Sequence, residues 1–153
     1  MFPDVTINDR ARDRMNAVRA EAAGAGIEIP DHRIIECQYN ITQAKAKVMA
    51  MFDEPNPPTA LICGNDIIAH GAIFAAQAVG LHLPHDLSIV GIGDFNGSAE
   101  IEPGLTTVRL PARRIGHGAA DMIAAIIDGR TPDPQQVLLP CELVMRQSTC
   151  PAA

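Results

Sequence analysis

Thr59-Ala60-Leu61-Ile62-Cys63-Gly64-Asn65-Asp66-Ile67-Ile68-Ala69-His70-Gly71 and Leu87-Ser88-Ile89-Val90-Gly91-Ile92-Gly93-Asp94-Phe95 are the stretches that decide the fold. In each, a short apolar run ends at a glycine and a polar cluster. Runs that are apolar throughout, instead of alternating, fit parallel strands buried on both faces. In an open α/β sheet the carboxyl ends of such strands are where ligands sit. A third β-rich stretch, Leu105-Thr106-Thr107-Val108-Arg109, follows a loop rich in glycine and proline.

Outward from this centre the pattern alternates. Asn65-Asp66 caps a helix over 67–79 that Gly80 ends. Upstream, Ile7, Ala11, Met15, Val18 and Ala22 recur at helical spacing and predict a helix over 6–23, with Asn8 or Thr6 as its cap. About six residues precede that helix and Pro3 interrupts them, so the strand a βα unit wants is missing there. Arg33 to Cys37 reads as a short strand ending at Tyr39, and Ile41 to Phe52 as a helix capped by Asn40 or Thr42 and stopped by Pro55-Asn56-Pro57-Pro58. Downstream, Ala112 to Ile127 is helical, and Val137 to Leu139 and Glu142 to Arg146 are extended. This order predicts an α/β fold, a mostly parallel sheet with helices on both faces.

At 153 residues, 47% of them hydrophobic, the chain suits one ordinary domain. Only 3% are aromatic, so aliphatic side chains must fill the core and the lone Tyr39 stands out. The net charge of −6, with 12 scattered Lys and Arg, leaves no basic patch for nucleic acid. Cys37, Cys63, Cys141 and Cys150 lack a C-x-x-C spacing and read as reduced thiols. Neither a secretory leader nor an apolar run of about 18 residues is present, which points to the cytoplasm and away from a membrane.

Chemistry-bearing motifs are few. Gly91-Ile92-Gly93-Asp94-Phe95-Asn96-Gly97 is one residue too long for a dinucleotide fingerprint. His82, His85 and Asp86 lack a third placed metal ligand, so no metal is expected, and no cofactor either. Cys63 has no assigned base and no serine sits in a nucleophile elbow, so an enzyme is not expected. What remains is a set of polar groups at one sheet edge: Tyr39, Asn65 with Asp66, and Asp94 with Phe95. A small polyol or sugar acid needs such a mixture, an amide and a carboxylate for hydroxyls, an aromatic face for C–H groups, and a guanidinium, which Arg14 would supply. The helix over 67–79 carries no charged residue, so it should be covered on both sides, with a subunit partner as the candidate cover.

Pro58 to Asp66 with Ala69-His70-Gly71-Ala72, Gly80 to Gly91 with its Leu83-Pro84-His85-Asp86-Leu87-Ser88, Pro103-Gly104-Leu105-Thr106-Thr107-Val108-Arg109, and Leu139 to Thr149 resemble, in order, the effector-binding region of bacterial lactose/galactose-repressor-type transcription regulators. The match covers about the last 100 residues, and Asn8 to Arg14 fit less sharply. The resemblance implies a periplasmic-binding-protein-like fold of two subdomains with a sugar or sugar-acid effector between them. It implies a homodimer that binds operator DNA through a helix-turn-helix missing from this chain. On this reading, 1–104 and 136–149 form the C-terminal subdomain, without its first strand, and 105–130 are a strand and helix belonging to a missing N-terminal subdomain. Carried over by position, Arg14, Tyr39, Asn65 and Asp94 would bind the effector, and Ile68, Ala72, Ala76 and Val79 would lie at the dimer interface. Where most members have an aspartate, this chain has Gly93, with Asp94 one place later, which favours an acidic ligand such as gluconate over a neutral sugar. A transport-type solute-binding protein, which shares the fold, is the alternative.

Overall fold

The computed structural model describes residues 1–3 and 5–151. Among these described residues four α-helices and four strands are formed in the order α1 (Asp9–Gly24), α2 (Ile41–Phe52), β1 (Ala60–Ile62), α3 (Asp66–Ala78), β2 (Ser88–Gly93), β3 (Thr106–Arg109), α4 (Ala112–Ile127) and β4 (Glu142–Val144). The sheet runs β1-β2-β3-β4, with the first three strands parallel and β4 antiparallel to β3. The α/β reading with a mostly parallel sheet therefore holds.

Helix starts follow side-chain capping. Asn8, Asn40 and Asn65 sit in extended backbone and each accepts a bond from the amide three residues on, Ala11, Gln43 and Ile68. Each satisfies an orphan donor of the first helical turn. The core lies between the sheet and the α2–α3 pair, where Val48, Leu61, Ile68, Ala72, Ile73, Ile89 and Leu105 are buried. Gly71 lets the two helices meet closely: a Cβ there would lie 2.7 Å from the Ile41 carbonyl and against the Ala44 side chain. Ser148 seals one end of the sheet. Its hydroxyl donates to the Ile89 carbonyl at 2.6 Å and accepts from the Thr106 amide at 2.8 Å.

Three expectations are corrected. Arg33 to Cys37 is not a strand: Asp31–Arg33 wind into a 3-10 turn, and only a parallel bridge between Phe2 and Glu36 remains. The first strand is not wholly absent either, because Met1 to Pro3 run between the 35–37 segment and the end of β1. There the Phe2 amide donates to the Ile35 carbonyl and the Gly64 amide to the Met1 carbonyl. Finally, α3 is covered by its own chain. Ile68, Ala72 and Ala76 are fully buried against α2 and the sheet, so they present nothing to a partner, whereas Val79 is 41% exposed. An all-apolar helix needs cover on both sides, and α2 supplies it.

The chain from 110 to 141 leaves the sheet after β3 and returns at β4. Of α4, only Ala125 is buried, while Ile115, Ile123, Ile126 and Ile127 are exposed.

Candidate functional site

The carboxyl ends of β1 and β2 gather the polar residues of the chain. At the end of β1 the Arg14 guanidinium, carried from α1, donates to the Gly64 carbonyl at 2.9 Å. Asn65 follows, 2% exposed, its side-chain oxygen capping α3 at the Ile68 amide, 2.9 Å away. Its side-chain nitrogen is buried and has no partner among the described residues. A buried unpaired donor costs about 1–3 kcal/mol, so cap duty explains only half of this side chain. Arg14 and Asn65 thus both lie at the end of β1, the one bonded to the Gly64 carbonyl and the other capping α3.

Asp66 is the residue whose role the sequence left least visible. Fully buried, it accepts from the Phe95 amide at 2.8 Å, the Ser98 hydroxyl at 2.7 Å and the Thr107 hydroxyl at 2.6 Å. One carboxylate therefore ties the start of α3 to the loop after β2 and to β3. A Cβ on Gly91 would collide with that carboxylate, so glycine is needed beside it. His70, one turn along α3, lies 3.3 Å from the Ser98 hydroxyl through its Nε2. Burial lowers its pKa below the ordinary histidine value, and the charge of Asp66 opposes the shift only in part.

Asp94 is placed differently from expectation. It adopts a left-handed backbone (φ 53°), and both carboxylate oxygens are taken: Arg109 donates to one and Arg146 to the other, each at 2.6 Å. Burial would push its pKa up, but the bonds and charges of Arg146 and Arg109 outweigh that and hold it below the usual range. Asp94 is therefore a clamp between β3 and the strand end after β4. Each of its oxygens already serves an arginine. Gly93 itself, at φ 140°, could carry no side chain, because the Phe95 ring occupies the space above its Cα. The Phe95 ring over that position is 42% exposed.

Tyr39 is 48% exposed beyond the 35–37 segment, and no bond to Arg14 or Asn65 ties it to the site. Cys63, at the end of β1, is fully buried and its thiol is pushed up to about 11 by burial, which keeps it protonated and a poor nucleophile. Among the described residues no group of three or more His, Cys, Asp or Glu is arranged to hold a metal ion, and no helix is long and apolar enough to cross a membrane.

Residues 2–149 match the family described as periplasmic binding protein-like domain. Among curated proteins, the HTH-type transcriptional repressor PurR of Escherichia coli is 30% identical over 124 residues, 81% of this chain and 36% of that protein. A solved LacI family transcriptional regulator from Mycobacterium smegmatis is 32% identical, with a TM-score of 0.81 over 95% of this chain and 54% of that one. A dimeric Lac repressor is 29% identical, with a TM-score of 0.81 over 92% and 51%. The chain therefore spans about a third to a half of the length of these relatives, which are regulators and not enzymes.

Proposed function

The chain belongs to the periplasmic binding protein-like domain family, as a portion of its LacI-type regulators, and from that membership we propose that it senses a sugar or sugar-acid effector for a cytoplasmic transcriptional regulator. The observation that carries this reading is the pairing of Arg14 with Asn65 at the end of β1. There the Arg14 guanidinium bonds the carbonyl of Gly64, the residue before Asn65, whose buried amide nitrogen has no partner among the described residues. Phe95 offers the C–H faces of a ring an aromatic surface, and Tyr39 is the rim aromatic. Regulators of this fold have been solved in complexes with cellobiose and with lactose. With Gly93 in place of a carboxylate and Asp94 neutralised by two arginines, the wall repels a ligand carboxylate less, so an acidic sugar is favoured over a neutral one.

On this proposal 1–109 and 142–149 are the C-terminal subdomain: the expectation that 105–130 belong elsewhere is corrected for β3, which pairs with β2 in the same sheet, and only the excursion between β3 and β4 belongs with the N-terminal half of the effector domain. Operator binding resides in the remainder of the regulator. Effector binding acts by preferring one arrangement of the two halves, so that the operator-competent population shifts. Homodimerisation falls to the outward side of α3, where Phe74 and Val79 are 40% and 41% exposed, and not to Ile68, Ala72 and Ala76 in the core.

The test of the ligand is side-chain NMR on the labelled chain, reading the Arg14 Nε–H and Asn65 amide signals during titration with gluconate and with glucose. One wall of a cleft binds weakly, so millimolar gluconate should move both signals and glucose should move them less. Unmoved signals with either ligand would remove the sugar-acid reading. For the dimer, sedimentation of Phe74→Glu and Val79→Glu should show weaker association than the parent, and equal association would remove the α3 surface.

A further inference from the structure

The outward stripe of α3 carries one titratable residue. Ile67, His70, Phe74 and Gln77 recur at spacings of three and four and share one face of the helix. Each is at least partly exposed, while Ile68, Ala72, Ile73 and Ala76 fill the core behind them. The loop between β2 and β3 runs along this stripe and is bonded to it twice. His70 Nε2 lies 3.3 Å from the Ser98 hydroxyl, and the Gln77 side-chain amide donates to the Glu102 carbonyl at 2.6 Å.

The direction of the first of these bonds is fixed by its neighbour. The Ser98 hydroxyl gives its one proton to the Asp66 carboxylate at 2.7 Å, so toward His70 it can only accept. The neutral ring therefore carries its proton on Nε2, and Nδ1 is the nitrogen that takes a second one. Protonation adds charge to the stripe without removing the Ser98 bond. Asp66, in the first turn of α3, attracts that proton, but burial outweighs the attraction and the ring is mostly neutral at neutral pH. Gly97 and Ser98, the loop residues against the ring, are uncharged. Glu100 and Glu102, further along the loop, are exposed, where water and salt screen them.

We propose that a second copy of the chain docks on this stripe only while His70 is neutral, so that acid opens the homodimer. This rests on the homodimer reading above. Its support is a stripe without a charged side chain, two large exposed hydrophobic residues in Phe74 and Val79, and a dimeric relative of the same fold. In a twofold interface the same patch comes from both copies, so two rings enter together. Neutral rings lose water at small cost. Charged rings must give up their hydration or their protons. The ring's pKa is therefore lower in the dimer than in the single chain. Association is complete above the single-chain value and weakens as pH falls through it, with up to two protons taken up for each dimer opened.

Sedimentation equilibrium of the whole chain at about pH 7.5 and about pH 5 tests this, with His70→Gln and Phe74→Glu beside the parent. The dissociation constant of the parent dimer should rise about tenfold or more at the lower pH. His70→Gln keeps a donor for Ser98 and cannot be charged, so its constant should change by less than about twofold. The His70 ring proton signal in NMR gives a second readout. Its titration midpoint should move to lower pH as the parent is concentrated through its dissociation constant, and stay fixed in Phe74→Glu. Equal association of the parent at both pH values, an equal loss in His70→Gln, or a midpoint indifferent to concentration each overturns the proposal and leaves the homodimer standing. A parent that stays monomeric at about pH 7.5 removes the homodimer reading and this inference with it.

Discussion

Asp66 at the start of α3 and Thr107 in the middle of β3 are joined by a hydrogen bond of 2.6 Å, 41 residues apart in sequence and wholly buried. With the Ser98 and Phe95 contacts it makes one carboxylate the junction of three segments. Replacing Asp66 by Ala leaves three donors without an acceptor. The expected loss is about 3 kcal/mol in urea unfolding, since a bond to a charged group contributes about 1.5–3 kcal/mol and neighbouring losses are not additive. Adding Thr107→Val should recover part of it. Full additivity of the two substitutions would show that the bond carries no coupling.

Asn65 has two separable duties. Asn65→Ala removes the cap and should cost about 1 kcal/mol, whereas Asn65→Asp keeps an oxygen for the Ile68 amide but buries a second carboxylate beside Asp66, so it should cost at least as much. If the unpaired nitrogen serves the ligand, both variants lose the gluconate response seen at Arg14. Retention of that response by Asn65→Asp would assign the nitrogen no part in binding.

The lowered pKa of His70 makes stability depend on pH in a fixed direction. The folded chain favours the neutral ring, while the unfolded chain takes a proton near the ordinary value of about 6.5. Stability is therefore complete above that value and falls as pH drops below it, until the folded ring is protonated too. The slope cannot exceed one proton, about 1.4 kcal/mol per pH unit. His70→Gln should flatten the curve between about pH 5.5 and 7. An unchanged slope would place the dependence elsewhere.

Gly71 sits where α2 and α3 meet most closely. Ala is the better helix former by about 1 kcal/mol, so an exposed site would gain from the change. Here the added carbon meets the Ile41 carbonyl and Ala44, and overpacking of this kind costs about 1–3 kcal/mol. Gly71→Ala should thus destabilise, while Gly116→Ala in α4, with open space around it, should stabilise. A gain at both sites would contradict the close packing of α2 on α3.

Where the sequence was legible, local chemistry and tertiary packing agreed. Asn65 announced the start of α3, Asn8 and Asn40 were each one of two caps named for α1 and α2, and the apolar runs 60–63 and 87–92 became β1 and β2 within a residue. Met1 to Pro3 escaped because three residues have no periodicity to read, and their strand character is conferred by neighbours on both sides. Ile68, Ala72 and Ala76 were misassigned because an uncharged helix reports that it is covered without reporting by what. At the candidate site, Asn65 was legible as a helix cap from its residue type and position. Asp66 was grouped with the cap, since nothing local to it forecasts Ser98 and Thr107 arriving from 32 and 41 residues away.

The register of β3 on β4 sets Arg109 directly opposite Glu142, and the two side chains meet at 3.1 Å. The polypeptide between them therefore departs and comes back at one spot, like a handle on a cup. Such a segment is exchangeable in principle: a two-residue Asn-Gly turn spans the same gap in an antiparallel hairpin. The sheet and its polar edge thus form a chassis on which 110–141 is a module, and evolution can refit the module without reopening the chassis.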